Sequence, residues 1–193
     1  MSMSENYFFG QNFQNKDFTK APFTISEFEA CTFKGCNFTD LDLSEFRFID
    51  TSFIDCNLSN AKLLKAAFQG VSFKDCKLLG LHFEDCNTFN FSIHFENCQL
   101  DHASFYEIKS GGLNFRNCQL KGVDFTEANL KNSTLIECDL SEAIFDQTNL
   151  QNADLRNSVN YQIDPDKNII KGARFSMPDV VGLLVKYDIL IDP

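Results

Sequence analysis

Residues 28–58 read FEACTFKGCNFTDLDLSEFRFIDTSFIDCNL, and a phenylalanine or leucine stands at every fifth place: Phe28, Phe33, Phe38, Leu43, Phe48, Phe53 and Leu58. The beat extends back through Phe23 and Phe18 to Phe13 and forward through Leu63, Phe68, Phe73 and Leu78 to Phe83. It returns as Phe95, Leu100 and Phe105, then runs from Phe115 to Leu155. A period of five fits neither the 3.6 of an α-helix nor the 2 of a flat strand. A fixed short repeat of this kind predicts a solenoid, in which each unit buries its apolar side chain only by stacking on its neighbours.

Two residues before each large side chain stands a mostly small one: Ala21, Ser26, Cys31, Cys36, Thr51, Cys56, Ala61, Ala66, Val71 and Cys76, and later Cys98, Ala103, Cys118, Ala128 and Cys138. Between Phe13 and Leu155 neither position carries Asp or Glu, and Lys16 is the one charge found there. An unpaired buried charge is costly, so both positions read as inward-facing. The other three residues of each five hold the charge and face water.

All eight cysteines fall on the small inward site, Cys86 included if Thr88 takes the large one. Cys36, Cys56 and Cys76 are twenty residues apart, as are Cys98, Cys118 and Cys138, so four pentapeptides make one coil and these thiols form a column. The step from Cys76 to Cys98 is twenty-two, the same two-residue insertion that separates the Phe83 and Phe95 registers. Stacked strands hold Cβ atoms ~4.8 Å apart on parallel vectors, outside the usual disulfide range of about 3.5–4.5 Å. Zinc is equally unsupported: Cys-x-x-Cys is missing, and His82, His94 and His102 sit at outward positions. The thiols read as small core residues, with no metal and no cofactor implied. Many reduced buried thiols point to a cytoplasmic protein. Met1 to Lys20 shows no apolar signal core, and no stretch approaches the ~20 apolar residues of a membrane span.

The chain divides into a repeat region, 1–158, interrupted at about 86–94, and a different segment, 159–193. At the interruption, CNTFNFSI (86–93), and one coil later at Ile108-Lys109-Ser110-Gly111-Gly112, the large apolar residue is replaced by Thr88 and Ser110. This reads either as a bulge absorbing an irregularity or as a contact loop with Phe89 and Phe91 as exposed anchors. In the last segment a turn at 163–168 precedes one more repeat-like unit, Ala173-Arg174-Phe175. Ser176 offers a helix N-cap, with Met177, Val180, Val181 and Leu184 on an apolar helix and Ile189–Ile191 as a short strand. Such a helix is expected to cap the open end of the solenoid and join two copies as a twofold dimer.

The units Ala128-Asn129-Leu130-Lys131-Asn132, Ala153-Asp154-Leu155-Arg156-Asn157 and Cys138-Asp139-Leu140-Ser141-Glu142 resemble the A(D/N)LXX consensus of pentapeptide-repeat proteins. The resemblance implies an all-β fold, a right-handed quadrilateral β-helix with a C-terminal helix. About seven coils at ~4.8 Å each make a rod ~35 Å long. The tail, Asn160-Tyr161-Gln162-Ile163-Asp164 followed by Ala173–Pro178, is similar to the topoisomerase-protecting branch with the Qnr, MfpA, McbG and AlbG types. The unbroken early register and small insertion are closest to the AlbG-like immunity type. That resemblance implies a dimeric, DNA-mimicking rod that binds DNA gyrase, and topoisomerase IV as well, and protects it from quinolones or peptide antibiotics.

Charge is compatible with this. The 27 acidic and 17 basic residues leave a net charge of −10, which speaks against direct nucleic-acid binding and suits a partner with a basic groove. B-DNA of that ~35 Å length bears about 20 negative charges, so the copy is electrostatically weak. The acids gather on one face: Glu45, Asp85, Glu107 and Glu127 in one column, with Asp42, Glu84, Asp124 and Asp146 beside it. Lys34, Lys74, Arg116 and Arg156 gather on the opposite face. That acidic face is the candidate partner surface, although any soluble rod also needs charged faces. The sequence has no nucleophile–base constellation and no phosphate-cradling glycine loop, so an enzyme is not expected. The competing reading is a scaffolding pentapeptide-repeat protein with an unrelated partner.

Overall fold

The computed structural model describes residues 6–20 and 24–192, and the expected repeat positions Ala21 and Phe23 lie outside them. The chain winds as a parallel β-solenoid with four faces. Strands β1 (Asn6–Phe9), β3 (Ser26–Glu29), β5 (Arg47–Ile49) and β7 (Ala67–Gln69) stack in a four-stranded parallel sheet on the first face. The second face is a seven-stranded sheet. It comprises β2 (Asn12–Gln14), β4 (Thr32–Lys34), β6 (Ser52–Ile54), β8 (Val71–Lys74), β9 (Ile93–Glu96), β10 (Asn114–Arg116) and β11 (Thr134–Ile136). The third and fourth faces are joined by single parallel bridges, such as Asn37↔Asn57 and Ser104↔Asp124. Register advances by twenty residues per coil, as in Phe33↔Phe53, except across the insertion, where Phe73 pairs with Phe95, Lys77 with Gln99 and His82 with Ser104.

The core is a set of ring columns. Phe13, Phe33, Phe53 and Phe73 stack nearly parallel, with centroids 4.7, 4.9 and 4.8 Å apart. Neighbouring columns meet edge to face, as Phe33 and Phe38 do at 5.3 Å and 79°. Both geometries suit the ring quadrupole, and the stacking distance equals the strand spacing, so the backbone ladder and the aromatic column fit one repeat.

The small inward column has a second task. At corners such as Leu58 to Ala61 the inward residue's amide closes a turn, the Ala61 N–H donating to the Leu58 carbonyl (3.1 Å). At the corner that follows the second face, the amide is instead satisfied from the next coil. The Cys36 N–H donates to the Cys56 Sγ, and the Cys56 N–H to the Cys76 Sγ, both at 3.4 Å. Each thiol in turn donates to a carbonyl of the coil before it, Cys56 to Phe33 (3.4 Å) and Cys76 to Phe53 (3.4 Å). Ser158 ends this column in the same role, accepting from the Cys138 N–H at 2.9 Å. Elsewhere Ser133 accepts from the Leu113 N–H (3.0 Å) and Asn168 from the Thr148 N–H (2.8 Å). A buried amide without an acceptor is costly, so the column favours Cys, Ser or Thr over Ala at this corner. All eight cysteines are buried free thiols. Contact with the next thiol and burial push Cys98 and Cys118 up to about 12.

The structure differs from the sequence reading in three places. Thr88 is exposed, not the inward large residue, and Phe91 is 6% exposed, not a surface anchor: the two inserted residues let Phe91 turn inward and fill the place Thr88 vacates. The C-terminal helix consists of two short 3₁₀ turns, Asp179–Leu183 and Val185–Tyr187, and Ser176 does not cap it. The Ser176 hydroxyl is used by the last repeat unit, accepting from the Asn157 N–H (3.1 Å). Ile189–Ile191 forms no strand. The tail nevertheless covers the rod's end: Phe175 and Leu183 pack on the core, and the Gly182 carbonyl accepts from the Ile163 N–H (3.1 Å). A Cβ at Gly182 would lie 2.0 Å from the Tyr161 carbonyl oxygen, so only glycine permits this approach. Lys186 clamps the tail to Asp164 (2.7 Å) and Asp166.

The acceptor role of the thiol column makes a specific prediction. Cys56→Ser keeps an acceptor for the Cys36 amide and Cys56→Ala does not, so the serine variant is expected to retain about 1 kcal/mol more stability in denaturant unfolding. The order alanine above serine, as apolarity alone would give, would reject the role.

Candidate functional site

The residue that ends each pentapeptide turns the chain to the next face, and nearly all such residues take a left-handed φ. Three corner columns meet this mostly with glycine, asparagine and aspartate: Gly70, Asn132 and Asn152 on the first, Asp55, Asp75 and Asn117 on the second, Asp40, Asn60 and Gly122 on the third. The fourth column does not. It presents Glu45 (φ 65°), Lys65 (58°), Glu107 (52°), Glu127 (56°) and Gln147 (53°). Long side chains elsewhere stand singly among the small ones, as Glu137 and Glu142 do. Left-handed backbone costs an ordinary L-residue roughly 1–2 kcal/mol, which Gly, Asn and Asp largely escape. Repeating that cost down one edge, with Glu107 and Glu127 in successive coils, is unfavourable for folding and calls for another reason.

The predicted acidic residues divide in two when placed on this frame. Glu45, Asp85, Glu107 and Glu127 are exposed and Asp146 is half-buried; among the described residues none of these five is in an ion pair. Asp85 departs from the left-handed column because it closes the 3₁₀ turn Phe83–Asp85. Asp124 is half-buried and structural as well as charged, its Oδ1 accepting the Thr126 N–H at 2.8 Å. Asp42 does the same for Ser44 (3.0 Å), and those hydrogen bonds hold its carboxyl below the usual range. The same bond recurs from Asn57 to Ser59 and from Asp139 to Ser141, each 3.0 Å, which explains why an Asp or Asn precedes so many of the leucines.

The field of the column is felt by its neighbours. The Glu107 carboxylate beside Tyr106, with Glu127 and Asp124 beyond, holds the phenol above its ordinary range. Lys62 and Lys65 are the cations that dilute the fourth face, against Asp42, Glu45, Glu84, Asp85, Glu107, Asp124, Glu127 and Asp146. On the opposite face the bases are partly neutralised, Lys74 by Glu96 (2.8 Å) and Arg156 by Asp154 (2.7 Å). The acidic edge is thus the least compensated charge along the rod.

Two further surfaces stand apart from it. Phe89 projects from the bulge, 69% exposed, its N–H donating to Asn87 (2.9 Å) and its carbonyl accepting from Gln69 (3.2 Å). At the C-terminal end Met177, Val181, Leu184, Val185 and Tyr187 are exposed and Leu190 is 99% exposed, while Val180 is half-buried. His82, His94 and His102 face outward while the thiols face inward, so they converge on no common point.

The model of the family described as "Pentapeptide repeat region" matches residues 26–105 and 112–178. This chain belongs to the pentapeptide-repeat family. The unmatched gap within it, 106–111, contains Ser110, which replaces the large residue. A comparison with curated proteins finds no match. Among solved structures, a trypsin-treated variant of QnrB1, a plasmid-mediated fluoroquinolone resistance protein, aligns with a TM-score of 0.65 and 20% identity over 97% of this chain and 98% of that one. A second trypsin-treated variant of QnrB1, with a different substitution, aligns with a TM-score of 0.59 and 21% identity, over 99% and 96%. At such identities the likeness is one of fold. The sequence reading found the acidic column by charge; its left-handed backbone, which marks it off from the other corners, needed coordinates.

The strain argument is testable by itself. Glu127→Asn suits the corner better and removes a like-charge neighbour, so it is expected to stabilise the pentapeptide-repeat rod by up to about 1 kcal/mol in denaturant unfolding. A destabilised variant would show that the glutamate contributes to folding, which the reading of this edge denies.

Proposed function

We infer that this pentapeptide-repeat protein is a non-enzymatic binder of DNA gyrase, and of topoisomerase IV, that occupies the duplex-binding surface as a DNA mimic and shields the enzyme from inhibitors. The observation that carries the reading is the Glu45–Glu127 edge, carboxylates kept on strained corners and left without ion pairs. A surface retained against folding preference is one that a partner uses. Its rod-like backbone and summed negative field suit a basic groove shaped for duplex DNA. The fold likeness to QnrB1 supports protection against fluoroquinolones, and the small interruption supports an immunity role against peptide antibiotics of the albicidin class. Reduced, buried thiols suit a cytoplasmic setting.

In a supercoiling assay, purified protein is expected to rescue gyrase from ciprofloxacin or albicidin and to compete with duplex DNA. Charge reversal at Asp85, Glu107 and Glu127 together is expected to slow association, and rising salt to do the same, because steering depends on the summed field and the Debye length is ~8 Å at physiological ionic strength. Salt-insensitive binding by the wild type, or a triple variant as active as wild type, would move the contact off this edge. Absence of any binding to either topoisomerase would leave the scaffolding reading.

The same proposal includes self-association through the C-terminal apolar surface of Met177, Val180, Val181 and Leu184. Val181→Asp is expected to convert a dimer to a monomer in analytical ultracentrifugation, since an unpaired carboxylate resists burial in an apolar interface. Wild-type protein that sediments as a monomer at micromolar concentration would remove the dimer from the reading.

A further inference from the structure

The interruption leaves a hole in the rod. On the first face the large inward column runs Phe28, Phe48, Phe68, Phe91, then Ser110, then Leu130. Ser110 cannot fill a place built for phenylalanine or leucine, and its hydroxyl turns aside to donate to the Phe91 carbonyl (2.9 Å). The result is a cavity of about 280 Å³ whose inner wall is Phe83, Phe91, Ile108 and Cys86. Cys86 marks it as unusual. It is 6% exposed, yet among the described residues its thiol makes no hydrogen bond, whereas the other seven cysteines each donate to a carbonyl.

The size and rim of this cavity indicate what it takes. Small-molecule sites commonly occupy about 300–1,000 Å³, so this one is nearer the scale of a single side chain. Its inner wall is apolar, Thr88, Asn90, Lys109 and Ser110 complete the lining, and its mouth lies where the fourth face turns into the first. Asp85 adjoins Cys86 in sequence and Glu107 adjoins Ile108, so two carboxylates of the acidic column neighbour lining residues, and Lys109 is the one charged residue in the lining itself. Phe89, held by Asn87 and Gln69, stands exposed on the same bulge.

We propose that this cavity is a socket for one apolar side chain of leucine or phenylalanine size, presented by a protein segment in which lysine or arginine flanks it. The acidic column beside the mouth draws the segment in and the socket seats its anchor, the arrangement in which a few buried groups supply most of an interface's affinity. The socket itself is argued from this chain's geometry; naming its owner as a topoisomerase rests on the function proposed above.

The test uses the full chain with ¹³C-labelled isoleucine methyls and, as probe, an amidated pentapeptide with a central leucine flanked by lysine and arginine. The Ile108 δ1 methyl is expected to shift on titration in the millimolar range, and a glycine-centred version of the peptide to shift it by less than about a tenth as much. Ser110→Leu restores the missing core side chain over Leu130, so it is expected to raise the melting temperature and abolish the shift, which separates plugging from misfolding. An Ile108 resonance unmoved by the leucine peptide overturns the proposal. An equal response to the glycine peptide, meaning charge alone, does the same. So does a shift that tracks protein concentration without peptide, which would place a second copy in the socket. In a parallel arm, gyrase is expected to bind Ser110→Leu about tenfold more weakly than wild type. Unchanged gyrase affinity overturns the socket for that partner, while a wild-type protein that binds no gyrase removes only the topoisomerase reading.

Discussion

Apart from the gap at Ser110, the large inward side chains of this rod rest on their equivalents one coil away, at the spacing of a β-ladder. That single constraint ties the composition to the architecture. Phenylalanine is favoured because offset ring stacking has its optimum near the strand spacing, as the 4.7–4.9 Å column from Phe13 to Phe73 shows. Cysteine is favoured at the corner after the second face because its sulfur fits the small site and also accepts the amide of the coil before it, as between Cys36 and Cys56. Aspartate and asparagine precede the leucines because their side chains accept the amide two residues on.

With so much of each coil committed to the ladder, function is confined to what the ladder does not need. The corners need a left-handed backbone, and small polar residues or glycine supply it. Where one corner column instead presents Glu45, Lys65, Glu107 and Glu127, the chain departs from its own rule, and the departure coincides with the least neutralised charge on the molecule. The second departure is the missing large residue at Ser110, which opens a cavity on the first face. The two lie side by side. A regular solenoid makes such exceptions easy to recognise, because each position is compared with its own copies above and below.

Much of this was legible in the residues. The five-residue beat, the exclusion of Asp and Glu from inward positions and the twenty-residue cysteine spacing follow from period and chemistry alone. The twenty-two-residue step places the interruption, and the Phe73↔Phe95 pairing has that register. The acidic edge was visible as a column of like charge. Its partly structural members, Asp42 and Asp124, were not separable from Glu107 and Glu127 by charge, because a carboxylate that accepts a local amide and one that does not look alike in a sequence.

By itself the sequence determined the solenoid, its inward and outward positions and the site of its irregularity, because these depend on a repeat long enough to hold one register. Tertiary structure alone decided how the exceptions resolve. Near the insertion Thr88, Phe89 and Phe91 all compete for one inward place, and the coil below, through the Ser92 amide bonded to the Phe68 carbonyl (3.0 Å), selects Phe91. In the tail, Ser176 has the chemistry of a helix cap, but Asn157, nineteen residues back, holds its hydroxyl, and the segment closes as 3₁₀ turns over Tyr161. In both cases the deciding partner lies about one coil away in sequence, and a local reading of propensity has no access to it.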